Sequence, residues 1–92
     1  MSILELRATF SGKVQNVFFR SYIKKYADQL NIKGFVKNLE NFDVFVVAQS
    51  NESNLKKFID LIIKKPGFGK ILNQKIEYVK PEKFYENFEI VY

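Results

Sequence analysis

The order in which two hydrophobic periodicities succeed one another leaves this chain few ways to fold. From Ile3 to Ser11 apolar and polar residues alternate: Leu4, Leu6, Ala8 and Phe10 point one way, and Glu5, Arg7, Thr9 and Ser11 the other. That is the period-two pattern of a half-buried strand. Beyond a turn, Phe19, Tyr22, Ile23, Tyr26, Ala27 and Leu30 recur at helical spacing, so the helix beginning near Phe18 or Phe19 has one apolar stripe. Ile32 to Leu39 and Val44 to Gln49 read as two strands of a hairpin joined by turn formers. A second helix, from about Asn51 to Lys65, carries Leu55, Phe58, Ile59, Ile62 and Ile63 on one stripe. Asn51 suits its cap, Glu52 and the pair Lys64 and Lys65 match its dipole, and Pro66-Gly67 ends it. A fourth strand, Ile71 to Val79, is interrupted by Asn73-Gln74-Lys75; Pro81 then breaks the chain before Phe88, Ile90 and Tyr92 alternate in a short last strand.

Strand, helix, strand, strand, helix, strand and a short addition form the α+β, ferredoxin-like split βαβ sandwich, with an antiparallel sheet and both helices on one face. The 92 residues are expected to form a single domain, 1–92, because ten Phe and five Tyr give enough apolar volume for one core without staples. With no Cys and no His, the chain has no disulfide, no thiolate nucleophile, no usual general base and none of the commonest metal ligand. Asp28, Asp43 and Asp60 fall on different elements, so no metal or other cofactor is expected. No basic leader and no apolar run of about 20 residues stands out, which predicts a cytoplasmic protein without a membrane partner. The net charge of +5 is spread over both helices and the carboxy-terminal third, fitting a monomer that attracts anionic small molecules better than a nucleic-acid binder.

The stretch Gly12-Lys13-Val14-Gln15-Asn16-Val17-Phe18-Phe19-Arg20 is the turn from the first strand into the first helix. The first N–H groups of a helix lack internal acceptors, and with the positive end of its dipole they make an anion site. Arg20 lies in that first turn, where a cation is disfavoured by roughly 0.3–1 kcal/mol. A phosphate held between loop N–H groups and the guanidinium fork would offset the cost. The bland alternative is an ordinary solvated arginine. Geometry brings a second residue to the same place: the helix travels ~18 Å at 1.5 Å per residue, and the strand after it returns ~20–23 Å. Asn38 should therefore lie near Arg20, with an amide able both to donate and to accept hydrogen bonds.

These two pieces resemble the acylphosphatase signature, a GxVQGVxFR loop coupled to a GFVKN-like strand. Here they read GKVQNVFFR from Gly12 to Arg20 and GFVKN from Gly34 to Asn38, and the resemblance extends from Arg7 to Ile90. It implies an enzyme that cleaves the carboxyl-phosphate anhydride of a small-molecule acyl phosphate to carboxylate and orthophosphate, by direct attack of water and without a metal. It further implies that Arg20 binds the phosphoryl group and Asn38 orients the water. Backbone N–H groups from Gln15, Asn16, Val17, Phe18, Phe19 and Arg20 would form the phosphate-binding loop, and inorganic phosphate would be both product and inhibitor. Ser11 and Ser21 have no evident base, so a covalent route has little support. A leaving carboxylate needs no proton, which suits a site without a strong base.

Two positions depart from the family pattern. Asn16 replaces a glycine and is expected to keep positive φ, with its side chain turned from the anion, because asparagine tolerates that region best after glycine. Phe42 stands in the hairpin turn at another usual glycine, and the turn is expected to shift so that Asn41 takes any left-handed conformation. Two other readings stand beside the enzyme. One is a phosphate-binding domain of the same family without turnover. The other is an RNA-binding ferredoxin-like module, although Lys33-Gly34-Phe35 continues as Val36-Lys37-Asn38-Leu39 without the alternating aromatics such modules use to stack bases.

Overall fold

The structure, a computed structural model, describes residues 2–92. Its elements are β1 (Leu4–Lys13), α1 (Phe19–Gln29), β2 (Lys33–Asn38), β3 (Val44–Ser50), α2 (Glu52–Lys64), β4 (Lys70–Val79) and β5 (Phe88–Val91). The sheet order is β4-β1-β3-β2-β5. The four longer strands pair antiparallel, as the element order predicts. The short last strand differs, because β5 lies parallel to β2, from Gly34 opposite Phe88 to Lys37 opposite Val91, and makes the sheet mixed. The segment from Val79 to Phe88 must cross from one sheet edge to the other, so β5 arrives pointing the same way as β2.

Alternation along β1 buries Leu6, Ala8 and Phe10 on the side that the helices cover. Phe19, Ile23, Tyr26 and Ala27 of α1 and Leu55, Phe58 and Ile62 of α2 meet them, with Val36, Val44, Val46 and Ala48 from the central strands. Each large side chain fully removed from water contributes about 1.5–3 kcal/mol, so this layer outweighs any single polar contact. Two edge-on aromatic pairs fix the elements that matter for the site. Phe10 and Phe19 have ring centroids 5.6 Å apart and tie the first turn of α1 to β1; Phe58 and Phe88, 6.0 Å apart, tie α2 to β5. The Tyr26 hydroxyl donates to the Lys65 carbonyl just past α2, and burial raises its pKa above the ordinary tyrosine value.

Glu5 was expected on the outer face, yet it is buried. Its carboxylate accepts from Arg7 Nε at 2.8 Å and from Gln49 Nε2 at 2.9 Å. Gln49 in turn donates to the Lys83 carbonyl and accepts from the Tyr85 N–H, which straps the 80–87 segment over this part of the sheet. Period-two alternation cannot announce such a cover, because the covering chain lies more than 70 residues away from Glu5.

The hairpin turn overturns the expectation for Asn41. Phe42, with φ 72°, is the left-handed residue, and Asn41 is not among the positive-φ positions. Leu39 N–H donates to Asp43 O and Phe42 N–H to Leu39 O, which is a type I turn closed by one left-handed residue at the third loop position. Loop length fixes that position whatever side chain occupies it. Asn41 instead accepts from the Asp43 N–H through Oδ1, a local bond that holds its own backbone. A left-handed phenylalanine costs on the order of 1–3 kcal/mol, while a glycine there forfeits about 0.5–1 kcal/mol of chain entropy. Phe42→Gly should therefore stabilise the fold by about 1 kcal/mol, raising Tm by roughly 4–8 °C. A thermal melt showing a lower Tm for the variant would mean that the ring makes a contact worth more than the strain.

Candidate active site

The register of β1 against β4 shifts between Ser11 and Gly12, leaving Leu72 of β4 unmatched, and pairing then resumes to Lys13 before the loop begins. Gly12 has φ 126°, and a Cβ there would run into the backbone of Lys70 and Leu72 on β4, so the residue must be glycine. The loop then takes two left-handed steps, Asn16 at φ 60° and Phe18 at φ 62°. Positive φ at Asn16 agrees with expectation. Phe18 at the cap position is a feature that residue type could not foretell, since bulky side chains are rare there.

The two helices start in opposite ways. At α2 the Asn51 side chain accepts from the Asn54 N–H at 2.8 Å and Glu52 lies in the first turn, which meets both the free donors and the dipole. At α1 the cap residue Phe18 offers no side-chain acceptor, no acidic residue lies in the first turn, and Arg20 adds a cation. The first bond into the helix runs from Tyr22 N–H to Phe18 O, leaving the N–H groups of Phe19, Arg20 and Ser21 without helical acceptors. Among the described residues no backbone carbonyl accepts from Asn16, Val17 or Phe18 either, and no carboxylate pairs with Arg20. Positive potential is thus concentrated at one uncapped helix end.

A cleft of about 440 Å³ opens there, lined by Val14, Asn16, Phe18, Phe19, Arg20, Ser21, Ile90 and Tyr92. The Arg20 guanidinium lies 4.8 Å from the centre of the Tyr92 ring, which restrains an otherwise flexible side chain. Four of the expected loop residues, Asn16, Phe18, Phe19 and Arg20, reach this cleft. Val17 packs instead against the core. Gln15 turns its carboxamide to the β2–β3 hairpin and donates to Leu39 O at 2.9 Å and Asp43 O at 2.8 Å. That pair of bonds ties the loop to the turn directly after Asn38.

Asn38 ends β2, at the same end of the sheet as the loop, with Lys37 opposite Val91 and hence Tyr92 next along β5. It does not line the cleft itself. Its Oδ1 is buried and, among the described residues, accepts no hydrogen bond. Ile90 and Tyr92 were not foreseen as site residues. Their strand is short, and only its parallel pairing with β2 brings its end to the loop. Among the described residues no three Asp or Glu side chains converge as metal ligands would, and no helix is long and apolar enough to cross a membrane.

Comparison with known proteins places this geometry in a group. Residues 6–90 match the family model for acylphosphatase. An acylphosphatase of Thermotoga petrophila is 35% identical over 92 residues, covering 100% of this chain and 99% of the relative. One from Archaeoglobus fulgidus is 33% identical over 90 residues, covering 98% and 100%. The crystal structure of an acylphosphatase from Bacillus subtilis superposes with a TM-score of 0.89 at 30% identity, covering 97% of this chain and 99% of that one.

Proposed function

The chain belongs to the acylphosphatase family, and we propose that it hydrolyses acyl phosphates at the cleft around Arg20. The observation that carries this reading is the contrast between the helix starts: α2 is capped and neutralised, whereas α1 presents free N–H groups beside an arginine that no carboxylate pairs among the described residues. A tetrahedral dianion relieves both. The guanidinium takes two phosphoryl oxygens, and the loop and first-turn N–H groups take the rest.

Phosphoryl transfer asks the protein mainly for positioning and charge stabilisation. Water attacks phosphorus, the bond from phosphorus to the bridging oxygen breaks, and the electron pair leaves with the carboxylate. Because that leaving group needs no proton, the absence of histidine from the sequence is no obstacle. The water's proton passes to a phosphoryl oxygen of the substrate. Asn38 holds the water through its carboxamide, at the end of β2 beside the hairpin that Gln15 ties to the loop. The amide orients the nucleophile and never takes the proton.

Purified protein should hydrolyse benzoyl phosphate in excess EDTA at the rate seen without it, and inorganic phosphate should inhibit competitively. Turnover abolished by EDTA and restored by a divalent cation would overturn the metal-free mechanism. Phosphate binding without turnover would favour the non-catalytic reading.

A further inference from the structure

We propose that the β4 edge of the sheet is a self-association surface, and that its occupant is a second copy of this chain, paired antiparallel about a twofold axis at Ile76. This goes beyond the hydrolase reading and departs from the monomer that the spread of charge suggested. The two edges of the sheet, β4 and β5, are unlike. β5 is only four residues long, and shortness is one way a sheet edge is kept from pairing with other chains. β4 runs for ten, from Lys70 to Val79, and no other strand covers its outer side. From Asn73 to Val79 it pairs with β1 in unbroken register and holds no proline, so its free side offers a regular row of N–H and C=O groups.

Pairing with β1 fixes the face each side chain takes. Ile76 lies opposite Ala8, and Gln74 and Tyr78 lie opposite Phe10 and Leu6, so these three are on the helix side. Asn73, Lys75, Glu77 and Val79 take the outer face, where Glu77 stands opposite Arg7 and Lys75 opposite Thr9. Residues directly opposite in an antiparallel pair share a face, so two copies of β4 can meet only in registers that set outer face against outer face. Centred on Ile76, the outer face places Lys75 of one protomer against Glu77 of its partner, and the axis repeats the pair. The helix side places Ile76 against its own copy and Tyr78, 44% exposed, against Gln74. Moving the axis by one residue fails either way: lysine then opposes lysine, or glutamate opposes glutamate, and like charges directly opposite are destabilising. Among the described residues neither Lys75 nor Glu77 makes an ion pair within its own chain, so both charges are available. Self-complementary charge selects a second copy over an unrelated strand, and a contact made by the same edge on both sides closes as a dimer instead of growing into a fibre.

The test is sedimentation equilibrium of the full chain between about 10 µM and about 1 mM, a range suited to an interface as small as one strand pair. Wild type should pass from monomer to dimer. Lys75→Glu and Glu77→Lys each set like charges opposite one another at both symmetry-related positions, and each should raise the dimer Kd by about tenfold or more. An equimolar mixture of the two variants should associate again, because every facing charged pair between them is then of opposite sign. Amide hydrogen exchange needs no variant: between Asn73 and Val79 it should slow as wild-type concentration rises, while along β5 it should not. Wild type that stays monomeric, reversals that leave Kd unchanged, a mixture of folded variants that does not associate, or exchange along β4 that ignores concentration would each overturn the proposal. Hydrolysis is not among the readouts, so these outcomes are independent of the acyl-phosphate reading.

Discussion

Arg20→Ala should lower kcat/KM for an acyl phosphate by about 10³-fold or more, the scale on which a lone arginine contributes to phosphoryl transfer. The loss should come without loss of fold. Removing a cation from the positive end of α1 returns roughly 0.3–1 kcal/mol, and losing its exposed stacking on Tyr92 costs a similar ~0.5–1 kcal/mol, so the two nearly cancel. Arg20→Lys keeps the charge but not the planar fork and should recover only part of the rate. Steady-state kinetics beside a denaturant titration would check both halves. A variant within tenfold of wild type would mean that the N–H groups alone hold the phosphoryl group.

Asn38→Ala is expected to separate rate from binding. If the carboxamide only orients water, kcat should fall about 100-fold, as misplacement of a reacting group does, with KM close to wild type. Stability should change little, because among the described residues the Asn38 carboxamide makes no hydrogen bond to the rest of the protein whose loss would be felt. That combination distinguishes a positioning residue from a structural one, whose loss would lower Tm. A kcat within threefold of wild type would end the water-holding role.

How far the sequence could be read depended on whether local pattern or distant chain decided the outcome. The strands and helices were legible because period and cap chemistry are local: Leu6, Ala8 and Phe10 alternate into the core, and Asn51 caps α2 as its type suggests. Asn16 was legible for the same reason, asparagine being the natural stand-in for glycine at φ 60°. The hairpin itself was legible, but the conformation of its turn was not. Residue preference pointed to Asn41, but a three-residue loop requires its last member to be left-handed, and that member is Phe42. Burial of Glu5 and the approach of Tyr92 to Arg20 were hidden because each depends on a segment far along the chain, folding back by a route no periodicity encodes.

The parallel pairing of β5 with β2 has a consequence for how this protein is made. On the ribosome, β5 emerges after β1 to β4, so until then a nascent chain carries β2 as an unprotected edge able to pair with a neighbour. The same strand brings Ile90 and Tyr92 to the cleft, so the wall facing Arg20 is assembled after the loop and α1 that carry the arginine. The cleft would therefore take its shape only once that strand has paired with β2.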